Sequence, residues 1–264
     1  MPAGCTIEVL GSGTSVGIPT IGCGCRVCTS YDPRDRRLRP SVLVRFESGG
    51  MERNVVVDTS PDFRQQVLSA GIRRLDAVLY THDHADHIMG LDDIRPFNYR
   101  RKDRIPVYAS KSTLKSLRRI FPYGFSGEGT HPGGVPRLDG RTVDGGPIEV
   151  CGMVFQPFAV HHGHKRILGY RFGRAAYVTD QTGFPDGSLR WLADLDVLFL
   201  GALRHQPHPM HSTVAEALAW IERFRPARAF LTHMCHDLPH EETDRELPPG
   251  VSLAYDGLQI TVKG

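Results

Sequence analysis

Residues 82 to 87 read His-Asp-His-Ala-Asp-His, three imidazoles and two carboxylates in six positions. Imidazole nitrogen and carboxylate oxygen suit Zn, Mn or Fe, and a short loop on a rigid element can aim several of them at one point. The preceding run Asp76-Ala77-Val78-Leu79-Tyr80 reads as a buried strand. His82, His84, Asp86 and His87 therefore fall at its C-terminal end, with a helix expected to begin near His87. A solvated polar loop is the plain alternative, but these residue types seldom meet at these offsets without a shared ion.

A second cluster is made of sulfur. Cys23, Cys25 and Cys28 lie within six residues, beside Gly22 and Gly24, which permit sharp turning. Three thiols so spaced supply three ligands of a structural zinc knot. The expected fourth ligand is His236, three residues beyond His233, with the adjacent Cys235 as the alternative.

These side chains need elements to place them, and the pattern that recurs is a strand whose C-terminal end delivers a His or Asp. It occurs at Asp58 after Asn54–Val57, at His82, at His162 within His161-His162-Gly163-His164 after Met153–Val160, at Asp180 after Ala175–Thr179, and at His233 after Ala227–Leu231. Asp58 is expected to orient the histidine loop from behind, or else to serve as a strand-end turn residue. Ser60 and Pro61 then look like the N-cap and first position of a helix faced by Phe63, Val67 and Leu68 and ended by Gly71. Gly169–Phe172 and Ala175–Thr179 should pair across Gly173-Arg174. A helix is expected over Lys111–Ile120, and another over Thr213–Phe224 with Thr213 and Glu216 as a capping box, which puts His211 at a helix N-terminus. The Gly- and Pro-rich residues 121–147 read as a long loop, in which His131 is a surface histidine or one that reaches a substrate.

The chain's 264 residues, 40% of them hydrophobic, suffice for one substantial core without a linker. Lys and Arg total 32 against 29 Asp and Glu, and the formal charge of +3 is too balanced to imply nucleic acid by itself. The basic runs 34–39 and 100–104 are expected to be solvated faces. Met1–Cys5 has no leader-like character and no apolar run is long enough to span a bilayer, so the expectation is a cytoplasmic protein without a membrane partner. Its six cysteines should then be free or metal-bound.

His-x-His-x-Asp-His after such a strand, followed by Gly90, resembles the metallo-β-lactamase-fold hydrolases. That resemblance implies an α+β fold, a four-layered αββα sandwich, in a single domain over residues 1–264. It also implies a dinuclear centre of two divalent metals, Zn or Mn: His82, His84 and His162 for one, Asp86, His87 and His233 for the other, and Asp180 bridging. A hydroxide shared by the two metals would attack the scissile bond. His162 is preferred to His161 or His164 because its spacing to Leu168-Gly169-Tyr170 resembles that of close relatives.

From Leu10 to Asp256 the chain is similar to the PhnP-type phosphodiesterases, which hydrolyse phosphoribosyl 1,2-cyclic phosphate. The shared features are Leu10-Gly11-x-Gly13, the Cys-x-Cys-x-x-Cys knot, the histidine loop, Thr179-Asp180 and Leu231-Thr232-His233-x-x-His236. The resemblance implies that His236 completes a structural zinc site with the three cysteines, and that His211 and Asp86 serve catalysis, His211 at the phosphate. The implied partner is a small, cyclic phosphodiester. A tRNA 3′-processing endoribonuclease of the same fold is a weaker rival, since no long inserted arm for tRNA is present. A non-catalytic metal-binding protein related to pyrroloquinoline-quinone biosynthesis is another. A homodimer is compatible with all of these.

Overall fold

The structure, a computed structural model, describes residues 2–99, 101, 103–126 and 134–263. The first half of the chain forms β1 (Gly4–Gly11), β2 (Ser41–Ser48), β3 (Met51–Val57), β4 (Ala77–Leu79), β5 (Ile105–Ala109) and β6 (Leu138–Thr142). The second half forms β7 (Ile148–Val150), β8 (Met153–His162), β9 (Lys165–Phe172), β10 (Ala175–Val178), β11 (Val197–Gly201), β12 (Arg228–Thr232) and β13 (Val251–Leu253). β14 (Gln259–Lys263) returns to pair with β1. The result is two seven-stranded sheets, ordered β14-β1-β2-β3-β4-β5-β6 and β13-β12-β11-β10-β9-β8-β7.

Period-two alternation decides what each strand buries. Val55 and Val57 of β3 join Ile7, Val44, Leu79, Phe155, Tyr177 and Phe199 in the core between the sheets, whereas Val56 and Val78 point outward. Those outward residues are covered by Phe63, Ile88, Leu114 and Leu117, the last two from the helix Lys111–Ile120. On the other sheet Val178, Leu198, Leu200 and Leu231 lie under Val214, Ala217 and Ile221 of the helix Val214–Phe224. With both faces of each sheet buried, every such Val, Leu or Phe contributes about 1.5–3 kcal/mol, and the chain is an α+β sandwich of four layers, helix, sheet, sheet, helix. Among the described residues no helix is long and apolar enough to cross a membrane.

Strands β3 to β5 run parallel, as do β10 to β13. Their carboxyl ends therefore gather on one side of each sheet, where loops can carry chemistry.

The structure corrects several local expectations. Residues 121–147 are not all loop: Leu138–Thr142 adds to β5 as a parallel edge strand, while His131 lies outside the described residues. Ser60 does not cap the helix; its Oγ accepts the Asp62 N–H at 3.1 Å in a preceding turn, and the helix runs Phe63–Ser69. On that helix Leu68 is 64% exposed and Gln66 is buried in its place. The run 34–39 is not a solvated face, because Arg37 is fully buried, donating to the carbonyls of Cys235 at 2.9 Å and Leu238 at 2.6 Å.

Candidate active site

The histidine loop is fastened on three sides. Asp58 N–H donates to the Leu79 carbonyl and Thr59 N–H to that of His87, while Gly90 N–H donates back to Thr59. Gly90 has no substitute, since a β-carbon there would meet the Ser60 carbonyl oxygen at 2.1 Å. Asp83 accepts from Ser116 Oγ at 2.6 Å, which ties the loop to the helix Lys111–Ile120. A single helical turn, Ala85–Ile88, then carries Asp86 and His87 into the interior.

Three other strand ends turn sharply. Asp58, Asp180 and His233 have φ of 63°, 57° and 59°. A left-handed residue other than glycine costs roughly 1–2 kcal/mol, and here it bends the chain so that each side chain points across the rim. At the end of β8 the alternation buries His162 and leaves His161 half-buried and His164 exposed. His162 Nδ1 donates to the Met210 carbonyl at 2.8 Å, which frees Nε2 to face inward.

These ends converge. Ligand-capable atoms lie within 4.8 Å of one another in four overlapping groups: His82, His84 and His162; His82, His87 and Asp180; Asp86, His87 and His233; and His162, Asp180 and His211. His87 Nε2 is 3.2 Å from both Asp86 and Asp180, and His233 Nε2 is 3.2 Å from Asp180 and 3.6 Å from Asp86. His82 Nε2, His87 Nε2, both nitrogens of His233 and His211 Nδ1 are buried without a hydrogen-bond partner. Orphaned imidazole nitrogens facing two buried carboxylates are a donor set that fits divalent metal.

The electrostatics agree with that fit. Burial pulls the His87 pKa down, but Asp86, Asp180 and Asp58 outweigh it and hold the value well above that of an ordinary histidine. Burial likewise opposes ionisation of Asp86 and Asp180, yet the surrounding imidazoles keep both carboxyls below the usual range. His82, by contrast, is pushed down by burial and by His87, and burial together with His233 pushes His211 down to about 3. His211 is thus a neutral imidazole at ordinary pH.

Asp58 stands behind the cluster. Its Oδ2 is 2.7 Å from His87 Nδ1, and it accepts from Thr81 N–H at 2.8 Å and Thr81 Oγ at 2.7 Å. His211 lies two residues before the N-cap Thr213, and its ring centroid is 5.1 Å from that of His162 and 4.9 Å from that of His233.

The sulfur cluster forms separately. Cys23, Cys25, Cys28 and His236 also bring their ligand atoms within 4.8 Å, with His236 Nδ1 3.4 Å from the sulfurs of Cys23 and Cys28. Cys235 turns away and accepts the Asp237 N–H at 3.4 Å. The Cys28 N–H lowers the Cys25 pKa, toward the thiolate that a metal needs.

Comparison with known proteins matches residues 53–234 to the β-lactamase superfamily domain. The chain belongs to that superfamily. A solved structure described as a new diphosphatase from the PhnP family is 48% identical, with a TM-score of 0.92, over 100% of this chain and 99% of that one. The chain is therefore a PhnP-family member, in a superfamily of metallo-β-lactamase-fold hydrolases. An octanoyltransferase of Porphyromonas gingivalis is 39% identical over 257 residues, 96% of this chain and 51% of that protein. A ribonuclease Z of Bradyrhizobium is 31% identical over 173 residues, 62% of this chain and 49% of that protein. The chain spans about half the length of these curated relatives.

Some of the site left no mark in the sequence. The Met210 carbonyl that fixes His162 could be any residue's, and Ser116 meets Asp83 across 33 positions. Thr81 touches Asp58 through both its N–H and its hydroxyl, and only its place beside His82 could have flagged it.

Proposed function

We propose that this chain is a metal-dependent phosphodiesterase acting on a small, cyclic phosphodiester such as phosphoribosyl 1,2-cyclic phosphate. The observation that carries the reading is the set of unpartnered buried imidazole nitrogens around Asp86 and Asp180. Full-length likeness to a PhnP-family diphosphatase supports phosphoryl chemistry as the use of that set.

In this reading His82, His84 and His162 hold one divalent ion, Asp86, His87 and His233 the other, and Asp180 stands between them. Zn or Mn bound there would polarise phosphoryl oxygens and make a water nucleophile available near neutral pH. Asp58 holds the His87 Nδ1 proton, so that Nε2 stays a ligand atom. Asp86, kept ionised, orients the attacking water. His211, neutral and with its Nδ1 3.4 Å from Asp180 Oδ1, stands where its imidazole meets a phosphoryl or leaving oxygen. Cys23, Cys25, Cys28 and His236 hold a structural zinc that takes no part in the reaction, and the whole serves as one domain.

The test is hydrolysis of bis-p-nitrophenyl phosphate and of cyclic phosphoribose by metal-loaded protein, with metal analysis before and after chelation. Activity should vanish on chelation and return with metal. Turnover by thoroughly demetallated protein would sink the mechanism. The ribonuclease Z likeness favours a second reading, a tRNA 3′-processing endoribonuclease, and cleavage of precursor tRNA in preference to small diesters would select it. Protein that holds only the knot metal would point to the non-catalytic alternative.

A further inference from the structure

Between β11 and the helix Val214–Phe224 runs the loop that carries His211 to the cluster. Its middle, Gln206-Pro207-His208-Pro209-Met210, stands out from the rim, with Gln206, Pro207 and Pro209 exposed and His208 and Met210 half-buried. The loop's two ends are tied by main-chain bonds: Leu203 N–H donates to the Ser212 carbonyl, Val214 N–H to that of Arg204, and Ser212 N–H to that of Gln181. Arg204 reaches the carbonyls of Gln206 at 3.2 Å and Pro207 at 3.1 Å. Met210 lies beyond those ties, yet its carbonyl is the one that accepts from His162 Nδ1 at 2.8 Å.

Within its own loop Met210 is held by a side chain. His208 Nδ1 accepts the Met210 N–H at 3.2 Å, so the imidazole proton is on Nε2. A side-chain acceptor that takes the N–H two residues on is the pattern of an Asx turn, with a ring nitrogen in place of the Asn or Asp oxygen. Pro209 suits the middle position, since its ring fixes φ and it has no N–H to satisfy. The Met210 side chain lies against the turn after β8, where a β-carbon on Gly163 would meet its Sδ at 2.5 Å. Among the described residues the Met210 main chain makes no hydrogen bond besides those to His208 and His162.

Two bonds therefore run in series through one residue, from His208 Nδ1 to the Met210 N–H and from the Met210 carbonyl to His162 Nδ1. We propose that His208 is a positioning residue for the metal centre: by fixing Met210 it fixes the carbonyl that sets the His162 tautomer, and so aims His162 Nε2 at its ion. The inference rests on the ligand set proposed for His162. Were that carbonyl loose, the His162 ring would have to be ordered as the ion binds, and affinity would fall. The rival role for His208 is direct contact with substrate through Nε2, because its ring centroid is 5.0 Å from that of His211. The two ring nitrogens have different mimics, which separates the roles.

Competition of zinc-loaded protein with a chromophoric chelator tests this without relying on turnover. His208→Asn puts Oδ1 where Nδ1 stood, whereas the longer His208→Gln reaches toward the place of Nε2. His208→Ala and His208→Gln should each weaken one of the two active-site zincs about tenfold, the lower end for a group behind a metal-binding imidazole, and leave the knot zinc unchanged. His208→Asn should hold that zinc within about twofold of wild type, because an Asx turn replaces the lost bond in kind. Wild-type affinity in His208→Ala would overturn the proposal, as would equal loss in all three variants. So would retention in His208→Gln with loss in His208→Asn, which would assign the role to Nε2. His162→Ala, the control, should lose the same zinc. If it keeps all of its zinc, the ligand set is wrong and the proposal falls with it. Rescue by Asn alone, in a protein that hydrolyses no diester, would uphold the positioning and overturn the reaction instead.

Discussion

The two ligand clusters solve the same coordination problem in opposite ways. The knot draws three of its four side chains from six consecutive residues, and none of Cys23, Cys25 and His236 is fully buried. Its three sulfurs and one nitrogen lie within 4.8 Å of one another, a donor set that would fill a tetrahedral zinc and leave no position for a substrate. The histidine and aspartate cluster draws on the ends of five strands in both sheets, from Asp58 to His233, and buries nearly every member. A local loop can be lost with local cost, whereas a site assembled from five strand ends inherits the rigidity of the whole sandwich. If that contrast is right, substitutions in the two clusters should separate cleanly into effects on rate and effects on stability.

The largest expected effect is at Asp180, which contacts both His87 and His233 and lies in two of the four ligand groups. Asp180→Ala should abolish diester hydrolysis and lower the metal content of purified protein while the knot metal remains. Full metal retention would show that Asp180 is not a shared ligand.

Next comes His211. His211→Ala should keep both metals and lose roughly a hundredfold in rate. Since burial and His233 hold its pKa down to about 3, His211 is neutral across the working range. It should therefore contribute no limb to the pH profile of kcat/KM between about pH 5 and 8. The loss should also be similar for p-nitrophenolate and for poor alkoxide leaving groups, because an imidazole that positions the phosphate surrenders no proton to the leaving oxygen. A limb that disappears in the variant, or a loss confined to poor leaving groups, would make His211 a general acid.

How much of this contrast can be read from the chain depends on distance along it. The loop 82–87 and the cysteines 23–28 announce themselves because their residues are neighbours. The layered fold came with the resemblance that the histidine loop carries, while apolar runs such as Val55-Val56-Val57 marked individual buried strands. The residues alone could not choose among His161, His162 and His164, because the choice depends on which face of β8 meets the rim, a phase that pairing with β9 fixes. β6 was missed for a related reason: Leu138-Asp139-Gly140-Arg141-Thr142 buries only Leu138 and sits at a sheet edge. Arg37 misled for the opposite reason, since a guanidinium is buried only where carbonyls wait for it, and those belong to Cys235 and Leu238, some 200 residues on.

A smaller effect sharpens the reading of the histidine and aspartate cluster. Asp58→Asn keeps the side chain's shape but removes the charge facing His87 Nδ1 at 2.7 Å. Metal affinity or rate should fall about 10- to 100-fold, the usual weight of a group behind a metal-binding imidazole. Metal titration that cannot distinguish the variant from wild type would reduce Asp58 to a turn residue.

The smallest expected effect on rate, and the sharpest test of the contrast, is Cys25→Ser. His233 and His236 lie three residues apart, so loss of the knot metal has a short path to the other cluster. That path is braced by main-chain bonds that owe nothing to sulfur. Met234 N–H donates to the Ser12 carbonyl and Thr14 N–H to the Met234 carbonyl, while Arg37 holds the carbonyls of Cys235 and Leu238. The variant should release one zinc and lose about 3 kcal/mol of stability or more, a fall in Tm on the order of 5–10 °C. Its kcat and its remaining metal content should stay within about twofold of wild type, because the brace keeps His233 in place. If catalytic metal leaves together with the knot zinc, then the brace depends on the knot, and the two clusters are one cooperative unit divided only by ligand type.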